Sequence, residues 1–167
     1  MANGHGIRTI MVFIEGNEAS LIAAQYAVSL AKLTGGEIIA VYVVDVKTLN
    51  DLLRARIFVR MEEMDYERDL EEDGKRYLNH VQGLAEAKGV AVTTLLEKGD
   101  VHSIVVRKVR ELGADILVMG ELETPLSRRD SYYSEGERVF REARCPVLVI
   151  KGDEEIRALY DSIELVK

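Results

Sequence analysis

Residues Ala114 to Ile150 read ADILVMGELETPLSRRDSYYSEGERVFREARCPVLVI. The stretch opens on an apolar run that ends at Gly120, crosses a polar connection to Ser134, starts a helix, and closes on the apolar run CPVLVI. Continuous apolar runs of this length suit strands covered on both faces, as in a parallel sheet. In open α/β sheets, ligands bind at the carboxyl ends of strands, where loops feed helix N-termini. The connection from Gly120 to Ser134 is therefore the first place to expect a small-molecule site.

The same alternation runs backwards through the chain. Thr9 to Ile14 (TIMVFI) and Glu37 to Val44 (EIIAVYVV) are two more apolar runs. Between them Leu21, Ala24, Val28 and Ala31 recur at helical spacing, with Asn17 as cap and Gly35-Gly36 as stop. Strand, helix and strand in about forty residues make a βαβ unit with a parallel, right-handed crossover. From Lys47 to Gly74 the apolar phase wanders through a charged background, which predicts one irregular or broken helix. Regular spacing resumes at Tyr77, Leu78, Val81, Leu84 and Ala85 and stops at Gly89. Val90 to Leu96 reads as a more exposed third strand, with Gly99-Asp100 as turn and cap before the stripe Val101, Ile104, Val105, Val109 and Leu112. Asp115 to Gly120 is the fourth strand and Val147 to Ile150 the fifth. Ser134-x-x-Glu137 is a capping box opening a helix with Val139, Phe140 and Ala143 inside. Ile156, Leu159, Tyr160 and Ile163 mark a last helix. This order predicts an α/β fold, a parallel sheet with helices on both faces. The expected organisation is a flexible leader over 1–8, a domain over 9–151 and a C-terminal helical extension over 152–167.

With 167 residues, 47% hydrophobic and 31% charged, the chain can bury a sizeable core. A net charge of −7 argues against nucleic acid or an anionic membrane as partner. Cys145 is the single cysteine, so no intrachain disulfide can form, and with no apolar signal region the default compartment is cytoplasmic. Cys145 itself reads as a small apolar core residue. The three histidines, His5, His80 and His102, have no metal-ligand neighbours at usable sequence spacing and read as surface positions, so neither a metal site nor a catalytic constellation is assembled.

Four segments resemble the universal stress protein family: TIMVFIEGNEAS, KGDVHSIV, GADILVMG and VFREARCPVLVIK, in the family's order and spacing. The resemblance spans roughly Thr9 to Lys151. It implies a Rossmann-like, adenine nucleotide alpha hydrolase-like sheet of five parallel strands in the order 3-2-1-4-5, and commonly a homodimer. The exposed edge of the last strand, Val147, Leu148, Val149 and Ile150, is the expected dimer contact.

Nucleotide-binding members of that family carry Gly-x2-Gly-x9-Gly-Ser/Thr after the fourth strand. Here Gly120 and Ser134 keep the frame, but Glu123 and Tyr133 stand at the second and third glycine positions. Glycine lets backbone N–H groups approach phosphate oxygens, so both replacements are expected to block the pocket. Two like charges about 4 Å apart repel by roughly 1 kcal/mol in water and roughly 4 kcal/mol at a surface-like dielectric. Arg128 and Arg129 are the candidate phosphate contacts that would oppose Glu123. The resemblance also implies candidate cofactor-binding roles for Glu15, where nucleotide-binding relatives usually have an aspartate that faces the ribose or a metal-bridged phosphate, and for Val43, at a position that in relatives contacts adenine through its backbone. The plainer readings are an acidic residue before a helix N-terminus for Glu15, an ordinary buried valine for Val43, a helix cap for Ser134 and a close-approach glycine for Gly120. The leading expectation is a non-enzymatic regulatory or binding protein of the stress response, with impaired or lost ATP binding and no resident cofactor. The alternatives are an ATP- or AMP-binding sensor, with Mg, and a slow nucleotide hydrolase.

Overall fold

The computed structural model describes residues 6–55, 60–123 and 134–164. Five parallel strands form one sheet: β1 (Thr9–Ile14), β2 (Glu37–Asp45), β3 (Val92–Gly99), β4 (Ile116–Gly120) and β5 (Val147–Ile150), in the order β3-β2-β1-β4-β5. Thr9 pairs with Glu37, Ile38 with Val92, Ile10 with Ile116 and Leu117 with Val147. The expected strand order is the one observed. From Ile10 to Ile14 no β1 side chain is more than 1% exposed, because helices cover both faces of the central strand. Each such side chain contributes roughly 1.5–3 kcal/mol relative to exposure.

One face carries α1 (Glu18–Thr34), α3 (Arg60–Ala87) and α6 (Glu154–Ser162), packed over Ile10, Val12, Ile14, Ile38 and Ala40. The other carries α4 (Val101–Glu111) and α5 (Glu135–Glu142), packed over Met11, Phe13, Val41 and Leu117. Successive side chains of a strand point to opposite faces, so β1 alone feeds both cores. Asn17 caps α1 as expected, its Oδ1 accepting from the Ser20 N–H at 2.9 Å.

Several local expectations change, but the charged stretch after β2 is a broken helix as expected: it forms α2 (Val46–Arg54) and then α3, which runs on past Gly74. That glycine does not stop the helix; it makes room for the Tyr42 ring, which a Cβ would approach to 2.5 Å. Strand β3 starts later and ends later than its apolar run, with Gly99 as its last residue. Phe140 is 45% exposed rather than inside α5, whose inward positions are Gly136 and Val139, one three-residue step apart. Asp100 sits at the N-cap of α4 but makes no side-chain cap; its carboxylate takes the Ser103 hydroxyl and an ion pair with Lys47 instead.

Helix α6 lies on α1 and the end of α3. Its Tyr160 hydroxyl donates to the Leu84 carbonyl at 2.8 Å, and the buried Lys88 donates to the Ile163 carbonyl at 2.8 Å while lying over the Tyr160 ring. Leu159, expected on the buried face, is exposed.

Candidate functional site

At the carboxyl end of the sheet, β1, β2, α3, α4 and α5 enclose a cavity of about 230 Å³, lined among others by Phe13, Glu15, Tyr42, Val43, Asp45 and Glu135. The chain reaches this end because β1 and β2 stop there: Glu15 is the first residue after β1 and Asp45 the last of β2. Asp45 also caps α2, its Oδ1 accepting from the Thr48 N–H at 2.9 Å and its Oδ2 from the Thr48 hydroxyl at 2.6 Å. Val43 is buried on β2 and lines the cavity. A larger groove, about 560 Å³, lies at the opposite ends of α4 and α5 between Arg110, Arg141 and Arg144, away from the strand ends that position Glu15.

Of the residues singled out in the sequence, the structure brings Glu15 and Val43 together in the cavity wall. Gly120 and Ser134 do not line it. Gly120 ends β4 directly against the start of α1: a Cβ there would lie 2.7 Å from the Ala19 carbonyl carbon and 2.9 Å from the Ser20 nitrogen. Its lack of a side chain is thus used by packing between backbone segments. Ser134 is the N-cap of α5, its Oγ accepting from the Glu137 N–H at 3.2 Å, while the Glu137 carboxylate engages Arg141 at 2.9 Å. Arg128, Arg129 and Tyr133 lie outside the described residues.

The dominant electrostatic feature is Glu15. Burial and then the neighbouring Glu123 carboxylate push its carboxyl up to about 7. Both causes act the same way, since leaving water and facing a like charge each disfavour the ionised form. The side chain reaches the first turn of α5, where its Oε1 lies 2.9 Å from the position a Gly136 Cβ would take. A helix start offers unpaired N–H groups and a positive dipole end, a ready place for an anion. Here the Glu15 carboxyl group of the chain itself lies beside that first turn.

His102 departs from the surface reading. Its side chain is only 12% exposed, its Nδ1 lies 2.8 Å from Glu135 Oε2, and its backbone N–H donates to the same oxygen at 2.9 Å. His80 is exposed as expected, and His5 is outside the described residues. Sequence reasoning missed His102 and Glu135 because they lie 33 residues apart along the chain, and Gly136 because the Glu15 side chain beside it comes from the other end of the domain. One signal was present: a glycine in the first turn of a helix is a poor helix former unless space is needed there.

The universal stress protein family model matches residues 6–151. A universal stress protein of Methanocaldococcus jannaschii is 33% identical over 150 residues, covering 89% of this chain and 85% of that protein. A solved structure from the same family, of Burkholderia pseudomallei, superposes with a TM-score of 0.64 at 29% identity, covering 88% of this chain and 98% of that one. A family protein of Arabidopsis thaliana, solved with AMP bound, shares the fold with a TM-score of 0.61 at 17% identity, covering 89% and 94%. With its strand order, its close-packed β4 end and this match over most of its length, the chain belongs to the universal stress protein family.

Proposed function

We propose that this chain is a cytoplasmic regulatory or binding protein of the stress response in which the polyphosphate of ATP is disfavoured at the cavity beside Glu15. The observation that carries the reading is the Glu15 side chain at the first turn of α5, with Glu123 acting on it. An incoming phosphate would have to displace one carboxyl group and face a second. The same cavity is also lined by Val43 and Asp45, which supports recognition of a nucleoside with few phosphates. That feature, together with AMP in the Arabidopsis thaliana relative, favours AMP as the second reading. A homodimer formed by pairing β5 edges belongs to the proposal, because β5 is a four-residue edge strand with Val147, Leu148 and Val149 only half-buried.

Calorimetric titration with ATP and with AMP, each with magnesium, tests this. The expected result is no ATP binding up to millimolar concentration and a gain of binding in a Glu15→Gln, Glu123→Gly variant. Micromolar ATP binding by the unaltered chain, or ATP released from it on denaturation, would overturn the proposal. Sedimentation should give the mass of two chains.

A further inference from the structure

His102 sits among three carboxylates carried by two helices. On one side, Glu135 Oε2 lies 2.8 Å from Nδ1. On the other, Nε2 faces Asp100 Oδ2 at 3.6 Å and Glu142 Oε2 at 4.0 Å. These two spacings are too long for hydrogen bonds. Zn–N and Zn–O bonds of about 2.0–2.2 Å put tetrahedral neighbours about 3.3–3.6 Å apart, a separation that Asp100 meets and that Glu142 would reach by a small side-chain movement. The Nδ1 contact matters as much. In the tautomer that donates Nδ1–H to Glu135, the Nε2 lone pair faces two anionic oxygens, an arrangement that either a cation between them or a second ring proton relieves. A carboxylate on the remote ring nitrogen is also how metal-ligating histidines are usually oriented.

The geometry points to a divalent transition-metal site, of the zinc class, formed by His102 Nε2, Asp100 Oδ2 and Glu142 Oε2, with Glu135 as the positioning residue on Nδ1. One nitrogen and two carboxylate oxygens form a donor set suited to zinc, cobalt or manganese rather than calcium, and leave room for water at the fourth position. Asp100, His102 and Glu135 are half-buried and offer ligand atoms within 4.8 Å of one another, whereas Glu142, more than half exposed, has to swing in to complete the ligand set. Two opposing features are part of the site. Lys47 lies 3.4 Å from Asp100 Oδ1, and the Ser103 hydroxyl donates to Asp100 Oδ2. Lys47 is more than half exposed and can swing into solvent, and a carboxylate oxygen accepts both a hydroxyl and a metal. The ion would tie α4 to α5 next to the cavity beside Glu15, which Glu135 lines and the three ligands do not.

The test uses the full chain, stripped with a chelator and titrated with Zn²⁺ by calorimetry and with Co²⁺ by visible absorption. One equivalent should bind, with the d–d bands of a low-coordinate Co²⁺ site, and the thermal midpoint should rise with free Zn²⁺. His102→Ala should abolish the Co²⁺ bands. Glu142→Gln and Glu135→Gln should each weaken binding about tenfold or more. His5→Ala and His80→Ala should leave it unchanged. Circular dichroism of each variant separates lost binding from lost folding, and the exposed Glu142 provides a variant that keeps the fold. No saturable binding up to millimolar Zn²⁺, or binding that survives His102→Ala, would overturn the site.

Discussion

Two glycines, Gly120 at the end of β4 and Gly136 in the first turn of α5, both stand where a Cβ would collide, and they differ in what it would meet. At Gly120 the obstacle is backbone: the Ala19 carbonyl carbon at 2.7 Å and its oxygen at 2.8 Å. At Gly136 it is the tip of a side chain, Glu15 Oε1 at 2.9 Å, with Met119 behind it at 3.4 Å. Backbone held in a helix and a sheet cannot retreat, whereas a carboxyl group can rotate away. The strand end is therefore fixed by packing, and the helix start is adjustable and governed by charge. In the sequence the two look alike, and only the first falls in the motif frame.

The largest effect expected from this contrast is on Gly120→Ala, which should destabilise the chain by about 3 kcal/mol, read as a lower denaturant midpoint. A loss under about 1 kcal/mol would mean that α1 can shift, and the contrast would fail. Next comes the proton on Glu15. Its carboxyl titrates near about 7 in the folded chain and near 4.5 when unfolded, so the folded state holds the proton more tightly. Stability should therefore fall as pH rises through that interval and stay low above it. Glu15→Gln should remove that fall, leaving the variant more stable by about 3 kcal/mol at alkaline pH and level with the parent in acid. Equal pH profiles would show that Glu15 is not held against α5. The smallest effect is on Gly136→Ala, within about 1 kcal/mol, because better helix propensity offsets the displaced carboxyl. The sharper readout is the pH profile: with Glu15 pushed towards water, it should flatten as it does in Glu15→Gln.

The fold was legible because its signals are local and repeated. Apolar runs such as TIMVFI and CPVLVI, helical stripes and capping residues each occupy a few consecutive positions. Asn17 and Ser134 take the cap positions their residue types predict. Less was legible at the site. The frame from Gly120 to Ser134 can be read from spacing, but Gly120 is occupied by α1, which lies a hundred residues earlier. Glu15 could be picked out as acidic before a helix, yet its contact with α5 rests on two elements meeting across the sheet end. His102 looked isolated for the same reason. Glu135 and Glu142, seven apart and so on one face of α5, were the half of the cluster that spacing could have revealed. The break expected in the charged stretch after β2 falls between α2 and α3, and the room that Gly74 leaves for the Tyr42 ring could not be read from the sequence.

The two faces of the sheet also set how the molecule opens. The side under α1, α3 and α6 holds the larger core, sealed by Tyr160 and Lys88, whereas the side under α4 and α5 rests on fewer buried residues and an eight-residue helix. Proteins open in cooperative units whose cost follows local burial. Helix α5 should therefore detach as a separate unit while the central strands stay protected, and its amides should exchange with solvent well before those of β1. Because Glu135, Gly136 and Glu142 all ride on α5, this excursion would take the helix start, the Glu15 contact and the His102 cluster apart together. Any ligand of that end would then be detected first as slowed exchange in α5.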